Sequence, residues 1–309
     1  MTPVWVDIRT PAPPAALGLI EGYGDLVLEV ADAARALGFY GELLGFAPAG
    51  ETAEGPRLRV GERHHLVLAE RPAPAARPAS GCHVAYRFPR AELQAVAARL
   101  AAAGVPVLRY HEDRPAERDE NRYCTDPDGN RVQLVAGPAR GLDHAAIEVF
   151  DLEWAEVFYT QLLGGLVETR VGWHMDDYAR ALAWGRGEDD CAPGTRRWDT
   201  LYNAAMTDDN EARVARVNPH FFVGFAPGVV LGVYLATEHR QEPPREQFVG
   251  TPRIEFRLRP GGLEALAARC QEVRLRCLHR AEATGGPYER QGAALFLKDP
   301  SGNFFAFVE

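Results

Sequence analysis

An internal duplication is the feature that most constrains what this chain can fold into. Residues 26–45 run through an alternating apolar segment, an aspartate, a Phe-Tyr pair and Leu-Leu-Gly, and residues 145–164 repeat that series without a gap. The alternation predicts a half-buried strand, and Asp32 or Asp151 stands where a helix N-cap belongs. The glycine that ends each copy predicts the end of the helix. Each copy is therefore predicted to form a strand, a tight turn and an amphipathic helix.

A second pair of segments is repeated further along the chain. A strand at 83–88 precedes a helix around 93–100, and a strand at 253–258 precedes a helix around 263–270. Both copies close with an Asp-Pro-x-Gly-Asn turn and a last strand, because proline presets one turn dihedral and glycine accepts positive φ. The chain thus divides into four βαβββ units, at residues 22–80, 81–137, 141–250 and 251–309.

These units predict an α+β fold in which four βαβββ units pair into two domains with cupped mixed sheets. Residues 1–21 form an irregular Pro-rich arm, residues 22–137 the first domain, and residues 138–309 the second. Pro-rich connectors mark the cuts between units. Unit three carries an insertion, at about 173–218, which predicts a lid or a partner surface.

Composition excludes several function classes. The formal net charge is -9 and no basic stripe is present, which argues against a nucleic-acid partner. No apolar run reaches the roughly 20 residues that span a bilayer, so we predict no membrane partner and a cytoplasmic location. The 5 cysteines include no CxxC pair, so neither a disulfide framework nor a zinc knuckle is indicated. Monomer and homodimer are both compatible with the sequence.

The strand-Asp-helix-FYxxLLG opening and the DPxGN closing turn, each present twice, resemble the glyoxalase / bleomycin-resistance / extradiol-dioxygenase superfamily, also called vicinal oxygen chelate proteins. The resemblance covers nearly the whole chain outside the arm and the insertion. It implies the fold strongly and the function weakly, because one fold hosts many chemistries. Metal-dependent lyases, isomerases and dioxygenases share it with metal-free drug-binding proteins.

The resemblance also implies where metal ligands would lie. The position on the first strand is Asp25 in unit one, His83 in unit two, His144 in unit three and Arg253 in unit four. The position on the last strand is Gln133 in unit two and Ala306 in unit four. Gly232, Tyr234 or Glu238 occupies it in unit three, where the sequence does not fix the register.

The pairing of the units decides which of these residues meet, and the sequence leaves two pairings open. If neighbouring units pair, Asp25, His83 and Gln133 share one site, while His144 shares the other with Arg253 and Ala306. If units pair crosswise, His83, Gln133 and His144 come together. Two imidazoles and an amide oxygen suit a divalent metal such as Fe(II), Zn, Ni or Mn. The predicted ligand set is therefore His83, Gln133 and His144.

Other residues are candidates for catalysis and for substrate binding. Glu148 and Glu238 are candidate general bases by location. For strand glutamates such as Glu148 and Glu255, solvent exposure or an ion pair is the simpler interpretation. Aromatic walls with a few polar groups are typical of small-molecule sites. The predicted substrate-binding residues are Trp173, His174, His220 and Tyr234.

Three functions are compatible with the sequence. The leading hypothesis is a metal-dependent enzyme that acts on a small oxygenated, possibly aromatic, compound as a ring-cleaving dioxygenase, lyase or isomerase. The second is a metal-free protein that binds or sequesters a small molecule. The third is a scaffold whose insertion contacts a partner protein. Metal content distinguishes the first from the others, and stabilisation by a ligand distinguishes the second from the third.

Overall fold

The computed structural model describes residues 18–74, 82–109, 122–171, 220–236, 247–280 and 292–309. Four units of one strand, one helix and three strands follow one another along the chain. The predicted α+β class is confirmed. The arm before residue 18 and the whole of the predicted insertion, at about 173–218, lie outside the described residues.

The first half of the chain contains units one and two. Unit one comprises β1 (Ile20–Val30), α1 (Ala33–Leu37), β2 (Ala47–Thr52), β3 (Gly55–Arg59) and β4 (His65–Glu70). Unit two comprises β5 (His83–Pro89), α2 (Arg90–Ala102), β6 (Leu108–Arg109), β7 (Arg122–Thr125) and β8 (Arg131–Gly137). Strand β1 begins at Ile20, which pairs with Leu258, so the predicted arm extends two residues too far.

The second half repeats this order. Unit three comprises β9 (Gly141–Val149), α3 (Leu152–Val157), β10 (Leu166–Val171), β11 (His220–Ala226) and β12 (Val229–Leu235). Unit four comprises β13 (Arg253–Leu258), α4 (Gly262–Glu272), β14 (Leu278–Arg280), β15 (Ala294–Lys298) and β16 (Phe304–Val308). Among the described residues, no helix is long and apolar enough to cross a membrane.

The helices of units one and three begin and end as the repeat predicts. The side chain of Asp32 accepts from the Arg35 amide, and that of Asp151 accepts from the Trp154 amide. Each helix continues into a π-helical turn, at Gly38–Leu43 and Phe158–Leu162. The chain then leaves it through Gly45 or Gly164, both at φ 76°. Glycine adopts this left-handed conformation without a Cβ clash, so it ends both helices.

The strands form two mixed sheets of eight strands, and the units pair crosswise. The first sheet joins units one and four in the order β14-β15-β16-β13-β1-β4-β3-β2, and the second joins units three and two in the order β10-β11-β12-β9-β5-β8-β7-β6. At the centre of each, two first strands pair antiparallel, β1 with β13 and β9 with β5. Of the two pairings that the sequence leaves open, this is the crosswise one.

Contacts between helices and closing turns join units of the same half of the chain, whereas each sheet joins units of different halves. The Tyr40 hydroxyl of unit one donates to Asp126 in the closing turn of unit two, at 2.9 Å, and Tyr159 of unit three donates to Asp299 of unit four, at 2.6 Å. The Asn130 amide donates to the Glu29 carbonyl, and the Asn303 amide donates to the Glu148 carbonyl. Neither half forms a complete sheet alone, yet each half is held by its own DPxGN turn.

Each sheet has one face in the common core and one face directed away from it. The rings of Tyr86 and Phe88 pack against Phe46 from unit one, and Phe305 packs against Tyr159 from unit three. All five are buried in one apolar cluster that spans both sheets. We call this side of each sheet the core face and the opposite side the ligand face, because the predicted metal-ligand positions lie on it.

Candidate functional site

The ligand face of the second sheet brings together the three predicted metal ligands. Directly paired residues project to the same face of a sheet. Gln133 pairs with Ala85, and Ala85 pairs with His144, so one row of this face runs Gln133, Ala85, His144. His83 lies two residues before Ala85 on the same strand and therefore shares the face. All three functional side chains are buried.

The two histidines meet through their Nε2 atoms. His83 Nε2 and His144 Nε2 are 2.9 Å apart, and the rings are close to perpendicular, at 83°. One of the two nitrogens has to carry a hydrogen for this contact to be a hydrogen bond. The same convergence of two Nε2 atoms is what a shared cation requires.

A third side chain fixes the orientation of His144. His144 Nδ1 donates to Asp143 Oδ2 at 2.9 Å, so the lone pair of the neutral ring lies on Nε2, towards His83. Neighbouring strand residues normally project to opposite faces. A β-bulge between the pairs Ala85–His144 and Tyr86–Leu142 places an extra residue, Asp143, beside His144. Asp143 was not predicted, because a bulge of this kind has no reliable sequence signal.

Electrostatic contacts hold the Asp143 carboxyl in its charged form. Burial raises the pKa of this carboxyl, but the hydrogen bond and charge of His144, together with the charge of Arg87, outweigh it and bring the pKa below its ordinary value. Arg87 Nε lies 3.3 Å from Asp143 Oδ1. A carboxylate that accepts from the far nitrogen of a histidine is the usual second partner of a metal-binding imidazole.

The register also identifies the residue at the fourth ligand position, in unit three. In unit two, Gln133 pairs with Ala85, which lies two residues after His83. The equivalent position in unit three therefore pairs with Ala146, which lies two residues after His144. The residue at that position is Gly232. A Cβ added to Gly232 would lie 3.1 Å from the Tyr234 ring and 3.2 Å from the Phe222 ring. The fourth position thus has no side chain and is bordered by aromatic rings.

Aromatic side chains surround the histidine pair. The ring of His83 lies 5.8 Å from that of Tyr234 and 6.2 Å from that of Tyr123, both edge-on. Phe222 lies 5.5 Å from His144. His220 stacks on Tyr234 at 4.1 Å, so these two predicted substrate-binding residues border the histidine pair. Tyr123 and Phe222 also border the histidine pair and were not predicted. We call Tyr123, Phe222 and Tyr234 the aromatic wall.

The remaining predicted residues divide into two groups. Glu148 is 5% exposed and lies on the ligand face, directly paired with Tyr234. Glu255 is 2% exposed, so exposure was the wrong interpretation for both glutamates. Their strands lie at the centres of the sheets, where even the ligand face is covered. Trp173, His174 and Glu238 lie outside the described residues.

The first sheet carries different side chains at the equivalent positions. Asp25 and Arg253 take the places of His144 and His83, and Ala306 takes that of Gln133, paired with the residue two after Arg253. Arg253 makes a two-point ion pair with Glu54, at 2.9 and 2.6 Å. Arg57 donates to Asp25 at 2.7 Å. These ion pairs occupy the ligand face of the first sheet, where the described residues include no group of three His, Cys, Asp or Glu side chains that could hold a cation.

Within the described part of the chain, no group of three or more His, Cys, Asp or Glu side chains is arranged to hold a metal ion. The set in the second sheet contains two histidines, and its third member is the amide Gln133. If it binds a cation, two imidazole nitrogens and one amide oxygen are its protein ligands.

Comparison with known proteins agrees with the geometry. Residues 22–134 match the family model described as the Glyoxalase/Bleomycin resistance protein/Dioxygenase superfamily. Glyoxalase I from Zea mays has a similar fold, with a TM-score of 0.58 and 15% identity over 93% of this chain and 91% of that one. A provisionally assigned dioxygenase from Bacillus subtilis subsp. subtilis str. 168 gives a TM-score of 0.55 and 12% identity over 94% and 85% of the two chains. No curated protein matches in sequence.

The duplicated βαβββ unit and the paired eight-stranded sheets define a class of tandem proteins with two equivalent ligand faces. Residues 22–134 are similar to the glyoxalase / bleomycin-resistance / dioxygenase superfamily, and the described residues of the chain form four copies of one βαβββ unit. At these identities, the likeness to solved structures establishes the fold alone.

Proposed function

We propose that the chain is a divalent-metal-dependent enzyme whose site lies on the ligand face of the second sheet. His83, Gln133 and His144 are the proposed ligands. The observation that carries the proposal is the convergence of two buried Nε2 atoms, 2.9 Å apart, one of them oriented by Asp143. Buried polar residues on a ligand face are costly to maintain without a purpose.

The donor set fits a divalent cation of the first transition row or zinc. His83 Nε2 and His144 Nε2 lie 2.9 Å apart, so both imidazoles could hold one cation between them. Neutral imidazoles with an amide oxygen suit Fe(II), Zn, Ni or Mn better than they suit calcium or magnesium. Because no charged ligand is present, affinity is expected to be below that of a site with two histidines and a carboxylate.

When bound, such a cation would supply Lewis acidity to two oxygens of a small substrate. The residues of the chain supply the rest of the site. Tyr234, Phe222 and Tyr123 form an aromatic wall that excludes water and suits a flat compound. Gly232 supplies no side chain at the fourth ligand position, which the rings of Tyr234 and Phe222 border. Glu148 is the proposed general base, because it lies on the same face four residues beyond His144 along β9.

The proposed reaction class is ring cleavage, elimination or isomerisation of an oxygenated and possibly aromatic compound. A second candidate is metal-free binding of such a compound by the same aromatic wall. The glycine at the fourth position favours this alternative, because a complete set of charged ligands is missing. Metal content distinguishes the two candidates.

The test is elemental analysis of protein purified without a metal-affinity tag and loaded anaerobically with Fe(II), or aerobically with Zn²⁺. The wild type should retain close to one equivalent, and the His83→Ala/His144→Ala double variant should retain less than a tenth of that. His65→Ala is the matched control, since His65 is a strand histidine on the ligand face of the first sheet, beside Arg57. It should retain the wild-type content.

Absence of metal from the wild type after both loadings would falsify the enzyme proposal. The binding alternative would then be tested by thermal shift with catechols, with Phe222→Ala as the variant expected to lose the shift. Equal metal loss in His65→Ala and in the double variant would show that the metal is bound elsewhere.

A further inference from the structure

A cavity of about 250 Å³ lies between the two sheets, at the end of the molecule where the DPxGN turns close. Gln133, His144 and Tyr234 do not line it. It is therefore separate from the aromatic wall of the second sheet, although strand β5 borders both: His83 and Val84 both line the cavity, and His83 also belongs to the ligand face.

The cavity lies on the axis of the internal duplication. Its lining residues come in equivalent pairs from units one and three or from units two and four, and the apolar pairs are Leu26 with Ala145, Leu28 with Ile147, and Val84 with Ile254. Asn130 and Asn303, the last residues of the two DPxGN turns, form a polar pair at its edge. Four units thus meet around one space that none of them fills.

One substitution accounts for much of that space. Where unit one has Leu26, unit three has Ala145, and both residues are buried in the core, at 5% and 1% exposure. An alanine in place of a leucine leaves a void when its neighbours do not collapse. Apolar voids of roughly 150 Å³ stay dry and accept a benzene-sized molecule, so a space of this size and lining is suited to a ligand of one or two rings.

We infer that this cavity is a second binding site, for a compact, neutral, mainly apolar molecule of one or two rings with one hydrogen-bonding group. The rings contact the six apolar residues, and the polar group lies at the edge formed by Asn130, Thr251 and Asn303. Arg131 and Arg253 are the charged residues of the lining and exclude cations, while the mainly apolar wall disfavours the burial of an anion. The inference does not depend on metal binding at the second sheet.

The test is calorimetric titration of the full chain, after treatment with a chelator, with indole and with 1-naphthol. Ala145→Leu restores the leucine of the equivalent position and should weaken binding at least tenfold without lowering the melting temperature. Ile147→Phe fills the same space from the neighbouring position and should act likewise. Phe222→Ala, which alters the aromatic side chains beside His144 and removes no residue of the cavity lining, is the matched control and should bind the probes within about twofold of the wild type.

Methyl chemical shifts of the wild type locate the probes without any variant. Indole should shift the signals of Leu28, Ile147 and Ile254, and should leave Val230 on the ligand face unchanged. Failure of both probes to bind the wild type, or shifts confined to the ligand face, would overturn the inference. Wild-type affinity in folded Ala145→Leu or Ile147→Phe protein would do the same.

Discussion

The two sheets share one backbone plan and differ at the four positions where the fold can present ligands. In the second sheet these are His144, Gly232, His83 and Gln133, and in the first they are Asp25, Val67, Arg253 and Ala306. The second sheet directs two imidazoles at each other. The first pairs Asp25 with Arg57 and Arg253 with Glu54. Strand pairing alone therefore makes no site, because the same register supports a donor cluster in one sheet and internal ion pairs in the other.

Removing one partner of the buried ion pair is expected to have the largest effect. Glu54→Ala would leave Arg253 buried without its carboxylate, at a cost of about 3–5 kcal/mol of unfolding free energy. Denaturant unfolding measures the loss. Glu51→Ala, an exposed glutamate of the same hairpin, should stay within about 0.5 kcal/mol of the wild type. Metal content at the second sheet should not change in the folded fraction. A loss of unfolding free energy below about 1 kcal/mol would mean that the ion pair of Arg253 with Glu54 does not stabilise the first sheet.

Asp143→Asn tests the role of the oriented imidazole. Asparagine fits the space but is a weaker acceptor for His144 Nδ1, so metal affinity should fall about 10- to 100-fold. Competition with a chromophoric chelator measures it. Arg87→Gln removes the ion pair to Asp143 and keeps the hydrogen bond to His144, so affinity should change only a few-fold. An equal loss of metal affinity in both variants would mean that the effect comes from the charges of Arg87 and Asp143. The orientation of the His144 imidazole would then not be its cause.

His64 connects the two sheets, and its titration should give the smallest effect. Its Nδ1 accepts from the Leu142 amide at 3.2 Å, and burial together with the charges of Arg257 and Arg87 lowers its pKa to about 4. Above about pH 6.5 the ring is neutral in both the folded and the unfolded chain. As the pH falls from 6.5 to 4, the unfolded chain binds a proton that the folded chain does not, and stability is lost. After solvent screening, we expect about 1–2 kcal/mol.

His64→Gln keeps an acceptor for Leu142 and removes the titrating group. Urea unfolding at pH 7.5 and at pH 4.5 should show a smaller acid-induced loss in this variant than in the wild type. His279→Gln, an exposed histidine of β14, should lose as much stability as the wild type. An unchanged loss in His64→Gln would exclude this residue as a source of the acid sensitivity.

Local features of the fold were predictable from the sequence, because they depend on neighbouring residues. The caps Asp32 and Asp151 and the terminal glycines are present as predicted. The helix predicted around 93–100 extends over Arg90–Ala102, since good helix formers flank it. Unit pairing was not predictable, because either partner offers the same antiparallel edge to a first strand. That choice is made by core packing between distant segments.

The candidate site shows the same division. The family resemblance implies His83, Gln133 and His144 as ligand positions, and the crosswise sheet brings them onto one face. Asp143 depends on a bulge, and Gly232 depends on strand register, which a sequence specifies only through the face that it buries. Tyr123 and Phe222 are apolar strand residues like many others in this chain. Only the fold separates those that contact the histidines from those that fill the core.

The crosswise arrangement also sets an order in which the molecule can be assembled during synthesis. Units two and three are consecutive, so the sheet with the histidine pair can close as soon as β12 has left the ribosome. Strand β1 pairs with β13, and the Tyr23 carbonyl receives its hydrogen bond from Arg257, 234 residues later. Until then one edge of the first unit stays open to other chains, which is the hazard of late, non-local strand pairing.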